Sequence, residues 1–260
     1  MPAPFFRFKQ FTVWHNLCAM KVGTDGVLLG AWTPVNPSVK QVLDIGCGSG
    51  LVALMIAQRC NEAVITGIDI DEGAFLQSDF NFRQSPWSNR LRALHLSLQE
   101  LEQSATLPNH NSGTVLHSSL QELKSGHTAF DLIVSNPPFF SNSLKNPNQS
   151  RSTARHNDSL PLNELFEHSN RLLNETGSIV LILPVTDYQK CVKLAESHGF
   201  HCTASVVIIP KPNAEPKRIL LSFGRIKAPE IKSELLLESG TRGEYSVEFA
   251  KLVRDFYLKL

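Results

Sequence analysis

Apolar runs of strand length alternate with stretches of helical periodicity along most of this chain. Gln41–Ile45 is a short apolar run, followed by a glycine-rich turn and a strongly helical apolar stretch over 51–57. The run 63–69 predicts a second strand, and 72–82 an amphipathic helix. Segments 90–96, Phe130–Ser135 and 178–183 predict a third, fourth and fifth strand. Helices are predicted over 162–173 and 186–198, the second stopped by Gly199. Two final strands, 200–209 and 218–223, flank a Lys/Pro-rich loop that can close an antiparallel pair. Apolar residues at helical spacing over 245–260 predict a terminal helix. Strands alternating with helices imply a mostly parallel sheet with helices on both faces. The pattern therefore predicts an α/β fold with a seven-stranded, mostly parallel sheet containing one antiparallel strand. One local echo interrupts it: 94–101 recurs as 116–123, around a polar stretch expected to be a mobile loop.

Composition narrows the class. With 260 residues, 42% of them hydrophobic, the chain can bury a full core as one large domain. No stretch reads as a membrane span, and 1–9 lacks the apolar core and cleavage site of a signal peptide. Five scattered cysteines without C-x-x-C or Cys/His ligand spacing predict reduced thiols, a cytoplasmic location and no metal site. A net charge of +1 exerts no global pull on nucleic acid, so any RNA contact must come from local clusters.

Three motifs carry chemistry. Asp44-Ile45-Gly46-Cys47-Gly48-Ser49-Gly50 joins the first strand to the first core helix, and its glycines permit tight turning and close approach of a ligand. The spacing is G-x-G-x-G, not the G-x-G-x-x-G of dinucleotide folds, and no Lys-Ser/Thr follows to cradle phosphate. The acid beside the loop suits a ligand with a cationic amino group, such as the methionine moiety of S-adenosylmethionine. A plain structural turn is the competing reading. Asp69 ends the second strand roughly 20 residues on, where an acid can accept both hydroxyls of a ribose. Asp71 starts the next helix and reads as its N-cap. Asn136-Pro137-Pro138-Phe139 ends the fourth strand. The two prolines stop the strand and remove backbone donors, leaving the Asn136 side-chain oxygen and the Pro137 carbonyl as acceptors for the two protons of a planar amine. Phe139 offers a stacking face. An ordinary Pro-rich turn is the alternative.

In this order and spacing, the glycine loop, Asp69 and NPPF resemble the class I S-adenosylmethionine-dependent methyltransferases of the amino-methylating branch. The run Lys21-Val22-Gly23-Thr24-Asp25-Gly26, with Ser85-Pro86-Trp87 and the closing Phe256-Tyr257, is similar to the bacterial tRNA(Val) adenine-N6 methyltransferases, over nearly the whole chain. The resemblance implies a Rossmann-like fold organised as one domain, with 1–40 covering the cofactor pocket and 41–260 forming the methyltransferase domain. It implies methylation of the adenosine just 3′ of the anticodon, with tRNA as partner, no metal, no protein partner and a monomeric state. It places Lys21, Thr24 and Asp25 over the cofactor, joining Asp44, Gly46, Gly48, Gly50, Asp69 and Asn136. Where the family often has an Asp for the cofactor adenine, this chain has Ser97, or Ser119 in the second copy; Ser97 is preferred because 91–94 leads into it as a strand.

NPPF is shared with rRNA guanine-N2, DNA adenine-N6 and protein glutamine methyltransferases, and the nearest rival acceptor is a guanine in rRNA or a glutamine amide in a protein. A glutamine methyltransferase for release factors usually has its own N-terminal helical domain, whereas about 40 residues precede the first core strand here. A non-catalytic binding module is a more distant reading, and an oxidoreductase is disfavoured by the glycine spacing. Candidate RNA contacts are Arg7 and Lys9, interleaved with Phe5, Phe6 and Phe8; Lys145, Arg151, Arg155 and His156 after NPPF; and Lys211, Lys217 and Arg218. Each competes with a simple solvated surface.

Overall fold

The computed structural model describes residues 3–106, 129–138, 160–241 and 243–260. Strands β1 (Phe5–Arg7) and β2 (Thr12–Trp14) form a hairpin, followed by helix α1 (Thr24–Trp32). Next come β3 (Gln41–Ile45), α2 (Leu51–Arg59), β4 (Val64–Asp69), α3 (Glu72–Arg83), β5 (Leu91–His95) and α4 (Leu98–Thr106). The rest comprises β6 (Phe130–Ser135), α5 (Leu162–Leu172), β7 (Leu173–Pro184), α6 (Tyr188–Ser197), β8 (His201–Ile209), β9 (Arg218–Gly224), β10 (Ile231–Leu236) and α7 (Val247–Val253).

The main sheet runs β10-β8-β9-β7-β6-β3-β4-β5. Among the described strands only β9 runs against its neighbours, pairing antiparallel with β7 and β8. Among the described residues the sheet therefore has eight strands rather than seven. The addition is β10, which pairs in parallel with β8 at the edge and leaves most of its side chains in solvent. An edge strand needs no apolar alternation, which is why Ile231–Leu236 carries no strand signal. The terminal helix is also shorter than its periodicity predicts. It ends at Val253, and a turn then carries Phe256 back into the core. Strand β7 starts at Leu173, earlier than expected, because α5 passes directly into it.

Alternate strand residues feed two cores, as a sheet covered on both faces requires. Val42, Leu132, Val134, Val180, Ile182 and Leu220 face a layer containing α1, α2 and α7. Leu43, Ile133, Ile179, Leu181, Leu221 and Phe223 face the layer of α5 and α6. Gly26 and Gly30 set the spacing between α1 and α2. A Cβ on Gly26 would fall 2.9 Å from Leu51, and one on Gly30 would fall 2.8 Å from Met55. Contacts of 26 with 51 and 30 with 55 mean that the two helices run parallel. Their N-termini are side by side, so the segment carrying Thr24 and Asp25 is brought to the end of the glycine loop.

Gly30→Val is expected to destabilise the protein by about 1–3 kcal/mol, the range for overpacking a tight contact. The shift is read from the midpoint of a urea melt; an unchanged midpoint would mean that α1 can step away from α2.

Candidate active site

Parallel strands all finish at one edge of a sheet. From β3 the chain moves to β4 and β5 on one side, then returns to β6 and β7 on the other. Open α/β sheets bind ligands in the crevice where strand order reverses in this way. Ile45 lies opposite Ile68 on one flank and Ser135 on the other. Gly46, Asp69 and Asn136 are therefore close to level, at the ends of three strands spaced about 4.8 Å apart. The Ser135 hydroxyl donates to the Ile45 carbonyl at 2.8 Å and ties two of those ends together.

The three loop glycines share a left-handed backbone, with φ of 66°, 55° and 76° at Gly46, Gly48 and Gly50. Their surroundings differ. A Cβ on Gly46 or Gly48 would meet nothing within 4 Å, whereas one on Gly50 would fall 2.4 Å from the Phe82 ring. The first two keep a cradle open, and the third lets a core ring approach the start of α2.

Two acids flank this cradle. Asp44 is buried and accepts the Ala53 amide at 3.2 Å, satisfying a donor in the first turn of α2. Burial is the main reason its pKa rises to about 7; the helix amide opposes the rise and Asp69 adds to it. Asp69 accepts the Gly48 amide at 2.9 Å and the Asp71 amide at 3.0 Å, and burial raises its pKa too. No cation is paired with either carboxylate among the described residues. A ligand bearing a positive charge fits this pair, because it would relieve the cost of ionising Asp44. Asp71 caps α3 through the Ala74 amide at 2.8 Å, as expected.

Sequence reasoning missed the residues that hold the N-terminal segment here. Asn81 donates to the Trp14 and Ser49 carbonyls, each at 2.8 Å, and accepts the Trp14 amide at 3.0 Å. Gln77, one turn earlier, accepts the Leu17 amide at 3.0 Å. Together they bind the strap after β2 to α3, and Asn81 ties it to the glycine loop. The available signal was a pair of polar residues one turn apart on the buried face of an amphipathic helix.

Asn136 and Pro137 close the other side, with Pro137 buried and Pro138 exposed. The Asn136 Oδ1 is sheltered from solvent and has no hydrogen-bond partner among the described residues. A buried acceptor left unmet in this way calls for a partner. Phe139, Lys145, Arg151, Arg155, His156 and Ser119 lie outside the described residues.

The remaining expected residues separate. Lys21 and Thr24 are exposed at the start of α1, while Asp25 forms an ion pair with Arg218 Nε at 2.8 Å. The charge of Arg218 is thus paired at the root of β9. Ser97 forms a capping box: its amide and hydroxyl donate to the Glu100 carboxylate at 2.7 and 2.8 Å, and its oxygen accepts the Glu100 amide at 3.2 Å. An adenine contact at Ser97 has to compete with this cap. Arg7 and Lys9 lie on the hairpin, where the Lys9 amine donates to the Arg254 carbonyl beside α7. Among the described residues no group of His, Cys, Asp and Glu is arranged to hold a metal, and no helix is long and apolar enough to cross a membrane.

Comparison with known proteins points the same way. A family profile described as "Methyltransferase domain" matches residues 42–107. The chain is 45% identical over 260 residues to a tRNA1(Val) (adenine(37)-N6)-methyltransferase of Bacteroides fragilis, covering all of both chains. Proteins of the same name from Parabacteroides distasonis and Flavobacterium psychrophilum are 40% and 38% identical; the first is covered in full, as is this chain, and the second is covered in full by 98% of this chain. A crystal structure described as a predicted O-methyltransferase from Agrobacterium tumefaciens superposes with a TM-score of 0.63 at 15% identity, over 89% of this chain and 96% of the other. Pyrococcus horikoshii TYW2, crystallised with MeSAdo, gives 0.53 at 10% identity, over 85% and 71%. These two likenesses establish the fold.

The high pKa of Asp44 sets a pH dependence. Its carboxyl is neutral below about 7, and a cationic ligand needs the ionised form. Affinity for S-adenosylmethionine is therefore expected to fall roughly tenfold from pH 8 to pH 6, and Asp44→Asn should weaken binding and flatten the dependence. Calorimetric titration across that range checks this; a flat profile for the unaltered protein would exclude Asp44 as the counter-ion.

Proposed function

The chain belongs to the family of bacterial tRNA1(Val) (adenine(37)-N6)-methyltransferases, and from that premise we infer how its own residues methylate the N6 amine of adenosine 37 in tRNA(Val). The observation that carries the residue assignment is the Asn136 Oδ1 at the strand switch, unmet among the described residues and level with the cradle and its acids. S-adenosylmethionine, when bound, supplies an electrophilic methyl group attached to a sulfonium. Asp44, Gly46, Gly48 and Asp69 would hold it: Asp44 toward the cationic amino group, the two open glycines along its length, and Asp69 toward the ribose hydroxyls. Thr24 and Lys21, brought alongside by the packing of α1 on α2, would close over it.

The acceptor amine is a weak nucleophile because its lone pair is delocalised into the adenine ring. Asn136 Oδ1 and the Pro137 carbonyl each accept one of its two N–H donors. Drawing on both hydrogens localises the lone pair on N6 and turns it away from the acceptors, out of the ring plane. As N6 would form its bond to the methyl carbon, the carbon–sulfur bond would break with its electron pair going to sulfur, leaving a neutral thioether, and the same two oxygens would stabilise the positive charge developing on N6. Pro137 and Pro138 make the arrangement rigid, since neither can rotate about φ nor offer a competing N–H. Proximity of amine and methyl group supplies much of the remaining acceleration. One N6 proton then leaves to water, so the chain needs no dedicated base. The target base has to leave its stack to reach this site, which is easier in an anticodon loop than in a duplex. A monomer acting on tRNA in the cytoplasm is the matching physiological setting.

Asn136→Ala should lower kcat by about 10²–10³-fold while leaving the affinity for S-adenosylmethionine nearly intact. Asp69→Ala should instead weaken that affinity. Labelled S-adenosylmethionine with tRNA, rRNA and protein fractions, followed by nucleoside analysis, reads both. N6-methyladenosine in tRNA is the expected product; retained turnover in Asn136→Ala would sink the acceptor assignment.

A further inference from the structure

One half of the active edge of the sheet is acidic. Over β3 and β4 lie Asp44, Asp69, Asp71 and Glu72, a region that repels phosphate. On the other side of Asn136 the same edge continues through β7, β9 and β8. Strand β8 runs parallel to β6 by way of two antiparallel pairings, so its C-terminal end and the loop after it rise on the Asn136 side. That loop, 210–217, reads Pro-Lys-Pro-Asn-Ala-Glu-Pro-Lys. Pro184 of β7 pairs with Arg218, and Ile208 with Arg218, which sets the base of the loop about 10–15 Å from the line of β6 at ordinary strand spacing.

The loop is held on two sides. The Lys217 carbonyl accepts the Val185 amide at 3.2 Å after β7, and the Pro210 carbonyl accepts the Glu238 amide at 3.1 Å after β10. A turn closes from the Ala214 amide to the Lys211 carbonyl at 3.1 Å, and Asn213 takes a left-handed φ of 60°. Three prolines limit its backbone further. Lys211 and Lys217 are exposed and form no ion pair with any described residue, while the Arg218 beside them is joined to Asp25. Glu215 is the only acid in the loop.

The other described basic candidate lies elsewhere. The Lys9 amide donates to the Phe256 carbonyl at 2.8 Å, and the adjoining Asp255 carbonyl accepts from Gln58, near the far end of α2. Helix α2 descends from the glycine loop, so this end is about 12 Å below the active edge.

We propose that the 210–217 loop is the tRNA backbone grip, with Lys211 and Lys217 contacting phosphates on the acceptor side of Asn136, and that Arg7 and Lys9 do not share this role. This rests on the tRNA methyltransferase reading. A rigid loop suits the task because little ordering entropy is lost on binding. Its separation from the acidic half orients the RNA so that the target base, rather than the backbone, enters beside the cofactor cradle.

The test measures tRNA binding against salt for the Lys211→Ala/Lys217→Ala and Arg7→Ala/Lys9→Ala double variants. The loop variant should lose roughly 1–2 units of slope in log K against log salt, and about tenfold or more in affinity at low salt. Its affinity for S-adenosylmethionine should be unchanged, which also verifies folding. The hairpin variant should keep the parent slope. An unchanged slope in the loop variant, or a loss confined to the hairpin variant, overturns the proposal. Failure of the unaltered protein to methylate any tRNA overturns the enzymatic reading separately, since the slopes are measured without turnover.

Discussion

The pairing of β3 with β6 is the constraint on which the site depends. These strands are far apart in sequence, yet their register fixes where each ends: Ile45 opposite Ser135, with the serine hydroxyl bonded across to the Ile45 carbonyl. A slip of one residue would turn every side chain on β6 to the other face and move Asn136 away from the cradle. Val42, Leu43, Leu132, Ile133 and Val134 of these strands are buried and packed into one core or the other, so such a slip would take each of them away from the neighbours it packs against. Hydrophobic burial thus sets the geometry of a polar site it does not touch.

Around that pairing the protein tolerates local arrangements that are unfavourable without a ligand. Among the described residues Asp44 is enclosed with no positive partner, and Asn136 Oδ1 is enclosed with no donor. Each would be a poor choice for stability alone, since unpaired buried polar groups are destabilising. Each becomes useful when a charged or hydrogen-bonding ligand arrives, because the protein group has already been desolvated. The acid side of the edge and the basic loop beyond β9 extend the same separation over a longer distance.

Several features were legible along the chain because they depend on neighbours in sequence. The strand–glycine–helix unit around Gly46, the acid closing β4 and the proline stop after β6 follow from local backbone chemistry, and their elements are found within a residue or two of expectation. Features depending on distant partners were not. Ile231–Leu236 carries no strand pattern, and only an open edge on β8 makes it one. Arg218 looked like a free basic residue until the fold brought it to Asp25, and Ser97 looked available until Glu100 was found on it. Asn81 and Gln77 resembled polar residues on a surface helix, yet they anchor the N-terminal strap.

The chemistry of the three motifs was therefore determined by sequence alone: two acids, an open glycine turn and a proline-stopped acceptor strand, each set by short-range stereochemistry. What the tertiary structure decided was which groups meet and which are left unmet. It separated Gly46 and Gly48, which face open space, from Gly50, which makes room for a ring. It also sorted two basic clusters that read alike as sequence, carrying Lys211 and Lys217 to the active edge and leaving Lys9 beside the far end of α2. The reason is that side-chain type is a local property, whereas burial, charge pairing and distance to the reacting atoms depend on strand order and helix packing.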